Sequence, residues 1–166
     1  MTSPNGVVVL HAWTFKKTAG AISSMFSKSQ KKLYCMLVRT GQGGVLEFLD
    51  EGPEGGKILS SVRLEEVEYK DDGWIYVRGR NDVESKTSHI RFVGEQEAET
   101  EYWKEYVTKE ISRRTTADVE TAVNEWKKDP AAAEKRYGHI AGWNYDEVDD
   151  ITPLLGLIQD LVQQAA

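Results

Sequence analysis

The chain has a single cysteine, Cys35, so no disulfide framework can form within it. Cys35 sits in the apolar run Leu33 to Val38, which predicts a buried strand residue rather than a reactive thiol and points to a reduced, cytoplasmic setting. No apolar stretch approaches the roughly 18 residues that cross a bilayer, so no transmembrane segment is expected. The start, Met1-Thr2-Ser3-Pro4-Asn5-Gly6, lacks the basic and apolar stretches of a signal peptide and the glycine that myristoylation needs. The last residues, Gln163-Gln164-Ala165-Ala166, make no prenylation box. His11, His89 and His139 are scattered, none at metal-ligand spacing with cysteine or a second histidine. No glycine-rich phosphate loop precedes a helix, and there is no Gly-x-Ser-x-Gly elbow. Asp146, Glu147, Asp149 and Asp150 cluster without the glycine-punctuated loop that calcium requires, and read as a solvated acidic turn. An enzyme, a metal site and a cofactor are therefore not expected.

What is present is a globular composition, 40% hydrophobic and 29% charged over 166 residues, enough for one domain with an appendage. Charge is segregated. Residues 1–46 hold six basic groups, Lys16, Lys17, Lys28, Lys31, Lys32 and Arg39, and no acid. Residues 47–114 hold 11 basic and 17 acidic groups, and residues 115–166 hold 4 and 10, for a net charge of −6. Such a field can orient the chain toward an anionic surface, whereas a pI near 5.2 argues against nucleic acid.

From residue 7 to residue 93 the punctuation is that of antiparallel strands: Val7–Phe15, Lys32–Arg39, Val45–Leu49, Lys57–Leu64, Glu66–Tyr69, Trp74–Arg78 and His89–Val93. Thr40-Gly41-Gln42-Gly43-Gly44 and Asp71-Asp72-Gly73 read as tight turns. At Glu95 the period changes from two to 3.6. Ala98, Tyr102, Trp103, Tyr106, Val107 and Ile111 recur at helical spacing, with Arg113-Arg114 closing the helix. The expectation for residues 6–114 is thus a mainly β fold, a seven-stranded, partly closed antiparallel barrel capped by a helix.

Here the sequence resembles the pleckstrin-homology family. Lys31-Lys32-Leu33-Tyr34-Cys35-Met36-Leu37 is similar to its basic-then-aromatic second strand, and Glu99-Thr100-Glu101-Tyr102-Trp103-Lys104-Glu105-Tyr106-Val107 to its closing helix with an anchoring tryptophan. The resemblance implies a phosphoinositide site built from a basic residue late in strand one, here Lys16 or Lys17, and a basic pair entering strand two. Gln30 replaces the first of that pair, leaving Lys32, with Lys28 and Lys31 as partial substitutes. Asp50, Glu51 and Glu54 would repel a polyphosphate at the same mouth, and Asp82 and Glu84 dilute Arg80 and Lys86. Met25-Phe26 in the first loop would either dip into a bilayer or pack against the tail, and packing is the expected role.

Residues 115–166 form a helical extension. Thr116 is expected to cap a helix over Asp118–Lys128, Ala131–Tyr137 resumes a helical composition, and Thr152-Pro153 opens a last helix with a wide apolar stripe. Ala122-Val123-Asn124-Glu125-Trp126, Asp129-Pro130 and then Tyr137-Gly138-His139-Ile140-Ala141-Gly142-Trp143-Asn144-Tyr145-Asp146-Glu147-Val148-Asp149-Asp150-Ile151 resemble the helical lead-in and first unit of short leucine-rich-type repeats in bacterial and algal surface proteins. That family reads Tyr-Gly-x-Ile-x-x-Trp-Asp-x-Ser-x-Val-Thr-Asp-Met; this chain departs at Asn144, Asp146, Asp149 and Ile151, and no second unit follows. A lone repeat cannot bury its apolar face, so support from the neighbouring domain is expected.

Two functions stay open. One is a non-enzymatic adaptor or scaffold that binds a protein partner through the C-terminal stripe, Leu154, Leu157, Ile158 and Leu161, and a sheet edge. The other is a peripheral membrane module reading phosphoinositides or other anionic phospholipids through Lys16, Lys17, Lys28, Lys31 and Lys32. Gln30 and the acidic loop favour the first.

Overall fold

The structure is a computed structural model that describes residues 2–18 and 30–165; Met25, Phe26 and Lys28 lie outside the described residues. The chain divides into two units, one ending at Val107 and the other beginning at Thr108.

The first unit is an antiparallel barrel. Its strands are β1 (Thr2–Ser3), β2 (Gly6–Thr18), β3 (Lys31–Thr40), β4 (Gly43–Leu49), β5 (Ile58–Tyr69), β6 (Ile75–Asn81) and β7 (Lys86–Gly94), each paired with the next. Strand β2 is long enough to serve twice. It pairs with β3 over Val7–Lys16 and with β7 over Thr14–Thr18, and the second pairing closes the ring. Six strands therefore make a closed barrel, and the two-residue β1 adds only a short flap at the start of β2, correcting the expected seven-stranded, partly closed ring.

The count differs because the runs 57–64 and 66–69 are one strand. A bulge between Leu64 and Glu66 adds a residue, so Val62 and Val67 both point inward although their spacing is odd. Gly79 stands opposite Leu64 at this bend, where a Cβ would collide with the Arg63 carbonyl oxygen. The register stacks inward residues in rows: Leu37, Leu46 and Val62; Val67, Val77 and Ile90; Ile75 and Phe92. Strand β3 is buried on both faces. Tyr34, Met36 and Val38 point outward and join Leu49, Val8 and Trp13 in a second apolar cluster.

Glu47 lies on that outward face of β4, fully buried. A carboxylate there needs donors. Ser3 Oγ donates at 2.9 Å, and Asn5 Nδ2 donates to its other oxygen. The β1 flap is thereby tied to the barrel wall.

Helix α1 (Glu97–Ile111) follows β7 after only Glu95 and Gln96. Gly94 permits this, since a Cβ would press on Glu99 and Thr100. The backbone N–H groups of Gly94 and Glu95 donate to Thr100 Oγ1 at 2.9 Å and Glu99 Oε2 at 3.1 Å, satisfying donors ahead of the first turn. Trp103, 1% exposed, meets the Phe92 ring edge-on at 5.4 Å, and Phe92 meets Phe48 at 6.1 Å. The buried face runs through Thr100, Trp103 and Val107, so Ala98 and Tyr102 are exposed, contrary to the expected stripe. The helix also ends earlier than expected, because Arg113 and Arg114 belong to a strand.

The second unit contains β8 (Arg113–Thr115), α2 (Val119–Lys128), α3 (Pro130–Tyr137), β9 (Asn144–Glu147) and α4 (Leu155–Ala165). Strands β8 and β9 pair in parallel, joined by the two intervening helices. Asp118, not Thr116, precedes α2; Thr116 Oγ1 instead accepts from Asp149 N at 2.9 Å. Asp129 caps α3 by accepting from Ala132 N at 3.1 Å, with Pro130 in the first turn where its missing N–H is not needed. Val119, Ala122, Val123, Trp126, Ala133, Ile140, Trp143 and Ile158 form a core. The apolar face that a lone repeat would leave open is thus met inside this unit, by α4.

Arg114, 3% exposed, sits inside that unit with its guanidinium over Tyr137 at 4.5 Å and Trp143 at 5.1 Å. Its Nη2 donates to the Ile111 carbonyl, and its Nη1 lies 3.4 Å from Asp118 Oδ2. Burial lowers its pKa, partly opposed by Asp118 and then by Tyr137 and Tyr145. Ring faces take the place of water around this cation.

The Trp103 contact yields a stability test. Trp103→Ala should lower the unfolding free energy by about 3–5 kcal/mol, because the removed indole leaves a cavity against Phe92. Tyr102→Ala, at a 59% exposed position one residue away, should stay within about 0.5 kcal/mol of wild type. Denaturant unfolding of both variants reads the difference, and equal midpoints would refute the plug.

Candidate functional site

The lysines expected at the lipid site divide among different faces. Lys16 shares the inward face of β2 with Thr14, and its register partner on β7 is Phe92. Its Nζ donates to Ser60 Oγ at 2.7 Å and stands 4.4 Å from the Phe48 ring centre. Burial lowers its pKa; nearby Cys35 opposes the shift and Lys31 adds to it. The Cys35 thiol is fully buried and its pKa is pushed well up by the same desolvation. Lys31 is exposed and pairs in register with Lys16.

Lys17 and Lys32 lie on the outward face. Lys32 makes an ion pair with Glu95 and lies 5.5 Å from the Trp13 ring. Lys17 lies 5.7 Å from the Trp74 ring. Lys28 lies outside the described residues. Lys16, Lys17 and Lys32 therefore engage three separate sets of neighbours.

The acids around the mouth are also committed. Asp50 Oδ1 accepts from the backbone N–H groups of Glu51 and Lys57, both at 2.8 Å, so it closes its own loop. Arg80 lies 3.9 Å from Asp82, and Lys86 pairs with Glu84. Among the described residues no three His, Cys, Asp or Glu side chains gather as metal ligands, and no helix is long and apolar enough to cross a membrane.

The C-terminal stripe turns inward. Ile158 is 4% exposed, and Leu154, Leu157 and Leu161 pack half-buried against the same core as Trp126 and Trp143. Leu155, which also belongs to the wide apolar stripe expected from the sequence, is exposed at the start of α4.

One further grouping is formed by residues distant in sequence. On the outward face of β6, β7 and the end of β2, the register places Tyr76, Arg91 and Lys17 in a row. Arg91 stacks on Trp74 at 5.0 Å and on Tyr76 at 5.8 Å, and its Nη1 donates to the Tyr76 hydroxyl at 3.1 Å. Lys70 lies 4.1 Å from the Tyr76 ring. The Tyr76 hydroxyl donates to Asp72, whose pKa is lowered first by that bond and then by the Trp74 backbone N–H. Alternation in Trp74–Arg78 and His89–Val93 puts 74, 76 and 91 on one type of face, but only register brings the strands side by side.

No protein-family model matches the chain, and no curated protein matches it.

Lys16 offers a measurable pH effect. Its folded pKa lies below the usual 10.5, so between those values the unfolded chain binds more protons and stability rises with pH. The burial penalty is full below the folded pKa and is gone above 10.5. Lys16→Met lacks this titration. Its stability relative to wild type should therefore be highest at neutral pH and decline as pH rises, in urea unfolding of both proteins. Tyr34, whose pKa is raised by burial, acts in the opposite direction but is common to both and cancels. A stability difference that is flat with pH would show Lys16 to be solvated.

Proposed function

We propose that the chain is a non-enzymatic adaptor or scaffold, cytoplasmic, whose barrel is a pleckstrin-homology-like domain and whose second unit is a repeat-like helical appendage. It acts by holding a protein partner. The closed antiparallel barrel followed by a helix with a buried tryptophan supports the family reading. One observation carries the choice of function: Lys16 is bound to Ser60 inside the barrel, Lys32 is paired with Glu95, and Lys17 faces Trp74. A phosphoinositide headgroup needs cations that converge on adjacent phosphates. Freeing Lys16 and Lys32 would break a partly buried hydrogen bond and an ion pair first.

The test is sedimentation with phosphatidylcholine vesicles, alone or carrying phosphatidylserine or a phosphoinositide. The full chain should stay in the supernatant with all three. Phosphoinositide-dependent sedimentation that Lys17→Glu with Lys32→Glu abolishes, and that weakens with salt, would replace this function with the membrane-targeting alternative.

A further inference from the structure

We propose that the outward face of β6, β7 and the end of β2 docks an acidic segment of a partner protein, with Arg91 as its centre and Lys17 and Lys70 at its sides. The proposal rests on the scaffold function above and names the surface that performs it.

The observation is a group of cations held against rings on one face. In the barrel unit Lys32, Arg63, Arg78, Arg80, Lys86 and Lys104 each stand within reach of a carboxylate. Lys16, Lys31 and Lys57 form no ion pair with a described residue. Nor do Lys17, Lys70 and Arg91, although the Asp72 carboxylate feels both Arg91 and Lys70. They lie against Trp74 and Tyr76 instead. Rings beneath a cation hold it in place and reduce the entropy lost when a ligand arrives, without neutralising it. Arg91 uses Nη1 on Tyr76, which leaves the rest of its guanidinium edge for a carboxylate. Phe15 and Val93, paired in register and half-buried, extend the same face and offer apolar contact beside the cations.

The chemistry favours a peptide over a bilayer. Asp72 sits among the cations, and exposed Glu68 stands across from Tyr76. A continuous anionic plane would meet both. A segment with spaced carboxylates can bring its acids to Arg91, Lys17 and Lys70 and pass those two positions with neutral residues.

The experiment selects from a displayed library of random dodecapeptides on the immobilised full chain. A selected peptide is then titrated by fluorescence anisotropy. Selected peptides should be rich in Asp and Glu, and Arg91→Gln with Lys17→Gln should weaken their binding at least tenfold. Lys57→Gln with Lys127→Gln, the same charge change elsewhere, should leave it within about twofold, and thermal melts check that both variants fold. Lys70→Gln, on the turn edge, gives a second reading with a several-fold loss. Selection without acidic enrichment, or equal loss in both double variants, would overturn this surface while leaving the scaffold function standing. Sedimentation with phosphatidylserine vesicles that depends on Arg91 would overturn both.

Discussion

The edge-to-face chain of Trp103, Phe92 and Phe48 is the contact on which the first unit depends. Three large rings from a helix, the last strand and a middle strand meet inside the ring, so one contact fixes both closure and plugging. Phe92 sits opposite Lys16 in the pairing of β7 with β2, the pairing that turns a sheet into a barrel. The helix arrives at the correct height because Gly94 and Thr100 bring the chain directly from strand to helix. Lys16 then stands over Phe48, and a cation that would otherwise reach solvent becomes part of the interior.

Both units handle buried polarity by enclosing it in partners suited to its charge. Glu47 receives donors from Ser3 and Asn5, so the N-terminal flap exists as much to satisfy a carboxylate as to extend a sheet. Arg114 is enclosed by Tyr137 and Trp143 and reaches a helix-end carbonyl. An aromatic surround costs less than an apolar one, because the ring quadrupole repays some of the lost hydration. The outward patch around half-buried Arg91 uses the same pairing of cation and ring.

The second unit closes a core of its own. Its parallel strands are three and four residues long and could not hold alone. Gly138, at a φ of 72°, turns the chain after α3 in a conformation unfavourable for other residues, and its carbonyl accepts from Trp143 Nε1 at 2.9 Å. Trp143 is thereby aimed at Trp126, and Ile158 of α4 packs into the same core.

Much of this was legible in the residues. Period-2 alternation, the turns at Gly41–Gln42 and Asp71–Gly73, and the change of period at Glu95 define strands and a helix because side-chain direction follows backbone geometry locally. Trp103 stands out by its size on an amphipathic helix, and Cys35 by its apolar neighbours. Tertiary structure alone decided the rest. Whether 57–64 and 66–69 are two strands or one depends on a bulge opposite Gly79, which only the partner strand reveals. The stripe of Leu154, Leu157, Ile158 and Leu161 has the same pattern whether it meets a partner or its own core, and only packing distinguishes them. Lys16 and Lys17 are neighbours in sequence, yet a strand sends them to opposite faces, one to Ser60 and the other to Trp74. Arg91 and Lys17 are far apart in the chain and side by side in the sheet, because register is a property of two strands and is written in neither alone.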